Sequence, residues 1–283
     1  MAEPLRAPVS DPPDHASLRQ VTTFDLRLTC HTGLHIGAGK NPSLVGSDLP
    51  VMRDSAGQPL IPGSSLRGVL RASATSLLEG LGISTESPPP PPNPGPNAGS
   101  PPPTLSSAWK RWSWIERLFG RIGGKNDLSF ASRVHFSDLR CQAPGPVAVE
   151  LRDGVGIDRE IRTASNSVKY NLEVVPAGTV FQGRVRLKNT SDADLGLIGQ
   201  TLWMLDEGLI TLGGKSARGL GWMEVRVSEP RQRTAGDILY AAAVPSPKDA
   251  ELGSVEDFFA GPLEALRRHV EDDLPPTATL EEP

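Results

Sequence analysis

A chain of 283 residues has room for one large or two small domains, and a 37% hydrophobic content beside 29 glycines and 28 prolines points to a compact core with long loops and tails. No run of about 18 apolar residues occurs, so no membrane span is indicated, and the first twenty residues lack the apolar centre of a secretory leader. Two cysteines, Cys30 and Cys141, are too few for a disulfide framework or a cysteine-rich zinc site, which leaves a cytoplasmic protein as the expectation. The formal net charge is −4, but ten acids in residues 249–283 against Arg267 and Arg268 give that segment −8, so residues 1–248 carry +4. Such asymmetry does not exclude RNA as a partner, and the acidic end reads as an exposed, solubilising extension.

In chain order, residues 1–21 read as a flexible Pro- and Asp-rich arm. Phe24, Leu26, Leu28 and Cys30 alternate with polar residues, the period-2 signature of a half-buried strand. A helix is expected over SLRGVLRASATSLLEGL, capped by Ser64 or Ser65 and followed by Gly82. The segment 87–103 holds ten prolines and reads as an exposed insertion biased toward polyproline II. Trp109 to Phe119 predicts one amphipathic helix, and Arg133 to Cys141 a second strand. Val168 to Val175 and Thr179 to Leu187 flank Pro176-Ala177-Gly178 as strand–turn–strand. Asp192 to Glu207 has helical spacing, and Trp222 to Val227 closes a glycine-rich loop. Simplified, the order is βαββαβ, an α+β, ferredoxin-like (RRM-like) arrangement with long insertions.

Three devices lie between His31 and Arg71. Gly33, Gly37 and Gly39 allow an unusual backbone path beside His31 and His35. Ile61-Pro62-Gly63-Ser64-Ser65 leads into a helix whose first N–H groups favour an anion. Arg67 and Arg71, four residues apart, share one face of that helix. Together they can hold a phosphodiester; a capped helix with solvated arginines is the simpler alternative. A second loop carries Gly213, Gly214, Lys215, Ser216, Arg218, Gly219 and Gly221. It fails the P-loop pattern because position 209 is Leu, but exposed amides and two cations suit a phosphate. His31, His35 and His135 have no metal-ligand spacing.

The runs GLHIGAGK and SDLPVMRDSAGQPLIPGSSLRGVLR, then IERLFG, RVHFSDLRC, IDREIRTASNSVKYNLEVVPAGTVF and LGGKSARGLGWMEV, recur in an order that resembles the RAMP superfamily over residues 22–228. The likeness is to backbone subunits of type III CRISPR effector complexes. That resemblance implies stacking along a guide RNA, with a β-hairpin thumb from each subunit distorting the guide–target duplex. The thumb falls at about 150–170, where Arg159, Arg162 and Lys169 would meet RNA. Further RNA contacts are expected at His35, Ser64, Ser65, Arg67, Arg71, Gly214, Lys215, Ser216 and Arg218, although a structural role for His35 is equally open. The resemblance assigns target-RNA cleavage to Asp48, as catalytic carboxylate and ligand of a divalent metal, Mg2+ being expected, with no organic cofactor. Implied partners are guide RNA, target RNA, other subunits and copies of this chain, without a membrane. A non-cleaving structural subunit and a stand-alone repeat-processing ribonuclease remain as alternatives. The acidic segment 229–283 has no counterpart in the resemblance.

Overall fold

The computed structural model describes residues 17–39, 46–88, 104–124, 127–157, 164–240 and 251–273. Its organising element is β1 (Gln20–Cys30), whose Phe24, Leu26, Leu28 and Cys30 are buried while the alternate side chains face outward. That pattern follows from the two-residue period of an extended chain. Along one edge β1 pairs antiparallel with β7 (Val180–Lys188), and along the other with β8 (Met223–Ser228) and β9 (Arg231–Thr234). Two short strands, β3 (Val134–Phe136) and β4 (Leu139–Cys141), extend the sheet beyond β7, with β2 (Leu60–Ile61) beyond β4. A separate antiparallel ribbon pairs β5 (Glu150–Ile157) with β6 (Ala164–Val174). The molecule is therefore a mixed α/β protein built on an antiparallel sheet.

Helices cover one face of that sheet. α1 (Gly63–Gly80) lays Leu66, Leu70, Ala74 and Leu78 into the core, the i, i+4 stripe expected of an amphipathic helix. α4 (Asp192–Asp206) adds Leu195, Ile198, Leu202 and Leu205. Between α1 and β3, the sequence expectation of one helix gives way to two, α2 (Leu105–Arg111) and α3 (Trp114–Phe119). The reason is local. Ser113 accepts from the Glu116 N–H, and Glu116 returns to the Ser113 N–H, a capping box that starts a new helix inside the aromatic run. The single strand expected over Arg133–Cys141 is likewise two strands, both antiparallel to β7 and interrupted at Ser137-Asp138, where the register shifts by one residue.

The largest departure concerns the acidic end. Instead of lying exposed, Val255–Asp273 forms a helix, α6, whose Val255, Phe259, Leu266 and Val270 join the main core. The ring of Phe259 meets that of Phe24 edge to face at 5.2 Å. α6 crosses α4 where the latter carries glycines. A Cβ at Gly196 would stand 2.1 Å from the Pro262 carbonyl oxygen, and one at Gly199 2.4 Å from the Phe259 ring. The acids of α6 occupy its outer side, so charge and burial coexist on one amphipathic helix. β10 (Leu252–Gly253) adds a short strand beyond β8, and α5 (Ala235–Tyr240) follows β9.

A buried ion pair ties α3, β3 and α4 together. Arg133 and Asp194 are 5% and 4% exposed and meet at 3.1 Å. The guanidinium also donates to the carbonyls of Arg117 and Asn189, while the carboxylate accepts from the Trp114 indole and the Ser191 N–H. Burial alone would raise the Asp194 pKa. Arg133, the Ser191 N–H and the Trp114 indole together outweigh it and hold the carboxyl below its ordinary range.

Candidate nucleic-acid interface

Strand β6 gathers the residues of interest. The segment 47–51 runs beside it: Leu49 bridges Leu172 in parallel, its N–H donates to the Asn171 carbonyl at 3.2 Å, and its carbonyl accepts from Glu173 at 3.0 Å. Asp48 and Asn171 then exchange bonds. The Asp48 N–H donates to Asn171 Oδ1 at 2.7 Å, and the Asn171 N–H donates to Asp48 Oδ2 at 2.9 Å. Asp48 is exposed, and its Oδ1 has no hydrogen-bond partner among the described residues. A carboxylate held by one oxygen with the other facing outward can accept a proton or ligate a cation. Glu173 stiffens the same loop by accepting from the Val51 N–H at 3.0 Å and pairing with Arg53 at 3.2 Å.

The glycine loop reaches β6 from the other side. Lys215 adopts a left-handed conformation (φ 65°), uncommon outside glycine, and opens the tight turn Ser216–Arg218, which Gly219 closes at φ 78°. The Lys215 ammonium lies 5.2 Å and the Arg218 guanidinium 5.8 Å from the Tyr170 ring centre, and Arg218 also donates to the Tyr170 hydroxyl. Leu220 packs with Leu172, Val174, Leu49 and Tyr170 in a small apolar cluster that joins the loop, the β6 ribbon and the Asp48 segment. Ser216 and Arg218 are exposed and Lys215 is half-buried.

His35 is the hinge of this assembly. Its ring is buried at 6% exposure with Nδ1 2.7 Å from the Glu173 carbonyl, and its own carbonyl accepts the Gly214 N–H at 2.8 Å. These contacts favour the structural role left open for it.

The start of α1 differs from the sequence expectation. Pro62 is the N-cap, and neither Ser64 nor Ser65 caps by its side chain. The Gly63 N–H donates to the Asp138 carboxylate at 2.9 Å, so the anion at this helix start is the protein's own. Ser64 is exposed and Ser65 half-buried on the first turn. Arg67 donates to the Phe119 carbonyl and Arg71 to that of Gly120 at 3.1 Å, closing the C-terminal end of α3. Burial, then the neighbouring Arg71, lower the Arg67 pKa from its usual value. The structure thus brings Asp48, His35, Gly214, Lys215, Ser216 and Arg218 to one stretch of β6, and sets Arg67 and Arg71 against α3. Lys169 stands on β6 opposite Val155; Arg159 and Arg162, like residues 89–103 of the Pro-rich insertion, lie outside the described residues. Sequence reasoning overlooked Tyr170, Asn171 and Glu173, although NLEV was in view as part of a strand. Their roles come from contacts 120 or more residues away for Asn171 and Glu173, and 45 or more for Tyr170, which no local pattern reveals.

Among the described residues no group of three or more His, Cys, Asp and Glu could hold a metal by itself. No described helix is long and apolar enough to cross a membrane. Residues 27–224 match the family model of the RAMP superfamily. The "CRISPR system Cms endoribonuclease Csm3" of Methanocaldococcus jannaschii is 55% identical over 218 residues, covering 73% of this chain and 80% of that protein. Proteins of the same name from Methanothermobacter thermautotrophicus and Enterococcus italicus are 48% and 51% identical over 54 and 43 residues, each alignment covering 20% of the relative. A family match spanning most of the sheet and the whole β6 assembly, with one relative alike over most of both chains, makes this protein a member of the RAMP superfamily.

Proposed function

We propose that this chain is a backbone subunit of a type III CRISPR ribonucleoprotein, binding guide RNA and cutting the paired target RNA at regular intervals through Asp48. The observation that carries the reading is the Asp48–Asn171 exchange beside the cationic glycine loop, in a chain 55% identical to a protein named as a CRISPR endoribonuclease. The fold behind this reading is a ferredoxin-like core: β8, β1, β7 and β4 are consecutive in the sheet, with α1 and α4 on one face. The β5–β6 ribbon is the thumb. Ser64, Ser216, Lys215 and Arg218 contact the RNA backbone, as do Lys169, Arg159 and Arg162 on the thumb, while Arg67 and Arg71 offer the donors that α3 leaves over. Partners are guide and target RNA, other subunits and further copies of this chain, in the cytoplasm.

In cleavage, Asp48 Oδ1 accepts from, or orients, the attacking 2′-hydroxyl, while the Asn171 N–H fixes the second oxygen and so the direction of the first. A lone exposed carboxylate fits Mg2+, which keeps waters and takes its other ligands from phosphates; when bound it would stabilise charge developing on the phosphate. Asp48→Ala, tested in the assembled complex with guide, should lower periodic target cleavage by about 100-fold or more and leave target binding within about twofold. Undiminished cleavage would remove Asp48 and leave a non-cleaving RNA-binding subunit.

A further inference from the structure

The sheet face turned away from the helices carries a charge that the net −4 of the chain conceals. Residues directly opposite each other in antiparallel strands share a face, and the register fixes which these are. Arg27 on β1 stands opposite Gln182 of β7 and Arg226 of β8; Asp25 opposite Arg184; Thr23 opposite Arg186 and Arg231; Val21 opposite Lys188 and Arg233. Arg140 of β4 faces Gln182 from the far side. Eight Arg and Lys therefore meet two acids within these strands, Asp25 and Glu224, while Arg140 at the far edge also pairs with Asp54 at 3.7 Å. Asp25 and Glu224 are bound to Arg184 at 2.8 Å and Arg226 at 2.8 Å. Arg27, Arg140, Arg184, Arg186 and Arg231 are exposed.

At the end of this stripe, just beyond β1 and beside the C-terminal end of α4, stands a pair of rings. His31 continues β1 opposite Trp222, its N–H donating to the Trp222 carbonyl at 2.9 Å, and the ring centres lie 3.9 Å apart with the planes tilted by 53°. The Trp222 indole N–H is anchored on the Asp206 carbonyl at 2.9 Å, yet 39% of the residue stays exposed. An indole kept at the surface and locked by its one polar atom is a poor core residue and a good platform.

From these observations we infer that the open sheet face is a second RNA surface, taking an unpaired, single-stranded segment whose phosphates lie on the arginines and one of whose bases stacks on Trp222 and His31. Guanidinium forks match phosphate oxygens, and a base can lie on an aromatic face only where it has left its duplex. A stripe dominated by arginine with an aromatic pair at its end favours RNA over an acidic protein surface, which needs no exposed rings. The inference rests on the RNA-binding reading above, but uses none of its contact residues.

The test compares full-length wild type with Arg27→Glu/Arg186→Glu, with Trp222→Ala, and with Lys215→Ala/Arg218→Ala, using fluorescence anisotropy on a labelled unstructured single-stranded RNA across a salt series. Losing two phosphate contacts should flatten the slope of log affinity against log salt by about 1.4, and Trp222→Ala should weaken binding by about 5-fold or more. Photo-crosslinks from 4-thiouridine should map to His31 or Trp222. Circular dichroism confirms that each variant folds. If the glycine-loop variant weakens binding while both sheet-face variants bind as wild type, the inference falls and RNA binding stands. If wild type binds no RNA, the broader reading falls and takes this one with it. Sheet-face variants that lose self-association but keep RNA affinity would assign the face to a second copy of the chain and overturn the inference.

Discussion

Replacing Asp194 by Ala would strand Arg133 in the core. The guanidinium keeps its bonds to the Arg117 and Asn189 carbonyls, but it loses the carboxylate at 3.1 Å, and the Trp114 indole and Ser191 N–H lose their acceptor. Removing one partner of a buried ion pair costs about 3–5 kcal/mol, because the remaining charge stays desolvated. With a urea dependence of about 2.5–3 kcal/mol per molar for a chain of this size, the unfolding midpoint should fall by about 1–2 M. Tryptophan fluorescence and far-UV circular dichroism would measure it in parallel, Trp114 reporting locally. Arg133→Met combined with Asp194→Leu should recover part of the loss, since no charge is left buried, though not all of it, since Trp114 Nε1 and the Ser191 N–H remain without an acceptor. The acid limb adds a second readout. The Asp194 carboxyl is held below its unfolded value of about 3.9, so its contribution is complete at neutral pH and is lost as pH falls through the folded pKa. Asp194→Asn should flatten that acid limb. A midpoint change under about 0.3 M for Asp194→Ala would refute the claim that this pair locks α3 to α4.

Asn171→Ala removes the acceptor of the Asp48 N–H but keeps the backbone bond to Asp48 Oδ2; a loss of about 1 kcal/mol predicts target cleavage about 5-fold slower, clearly milder than Asp48→Ala, in single-turnover assays of the assembled complex. Equal losses in the two variants would show that Asn171 does more than position the loop. Gly199→Leu should drive Phe259 from its seat on α4, making the C-terminal helix cleavable by trypsin at Arg267 and Arg268, while wild type resists. Burial, then the charge of Cys141, push the Cys30 thiol up to about 12. A thiol reagent at pH 8 should therefore modify one cysteine of the native protein, Cys141, and two in denaturant.

How far the sequence was legible follows the range of each interaction. β1, β7, α1 and α4 were readable because alternation and helical stripes are local signals that survive into the core. The split of Trp109–Phe119 was present as Ser113 and Glu116 at capping-box spacing, but the aromatic run masked it. The stripe of Val255, Phe259, Leu263, Leu266 and Val270 was equally present, and the surrounding acids drew attention to charge rather than period. At the site, Asp48 and the cations of the glycine loop stood out by type and by resemblance. Their partners did not: Asn171 and Tyr170 are ordinary strand residues until folding sets them against residues 48, 215 and 218. The helix start at Gly63 misled for the same reason, since the carboxylate that occupies it comes from Asp138.

The place of β1 has a consequence for how the protein is made. The strand at the centre of the sheet leaves the ribosome before every strand it pairs with, and Leu26 must wait for Val227, about 200 residues later, before its second edge is paired. At roughly 5–20 residues per second that interval is about 10–40 s. Until β7 is made both edges of this alternating apolar strand are open, and until β8 follows one edge remains available to any neighbouring chain. Yield of this protein in a cell should therefore depend on translation speed and on factors that shield nascent chains, and be far less sensitive to conditions imposed after synthesis is complete.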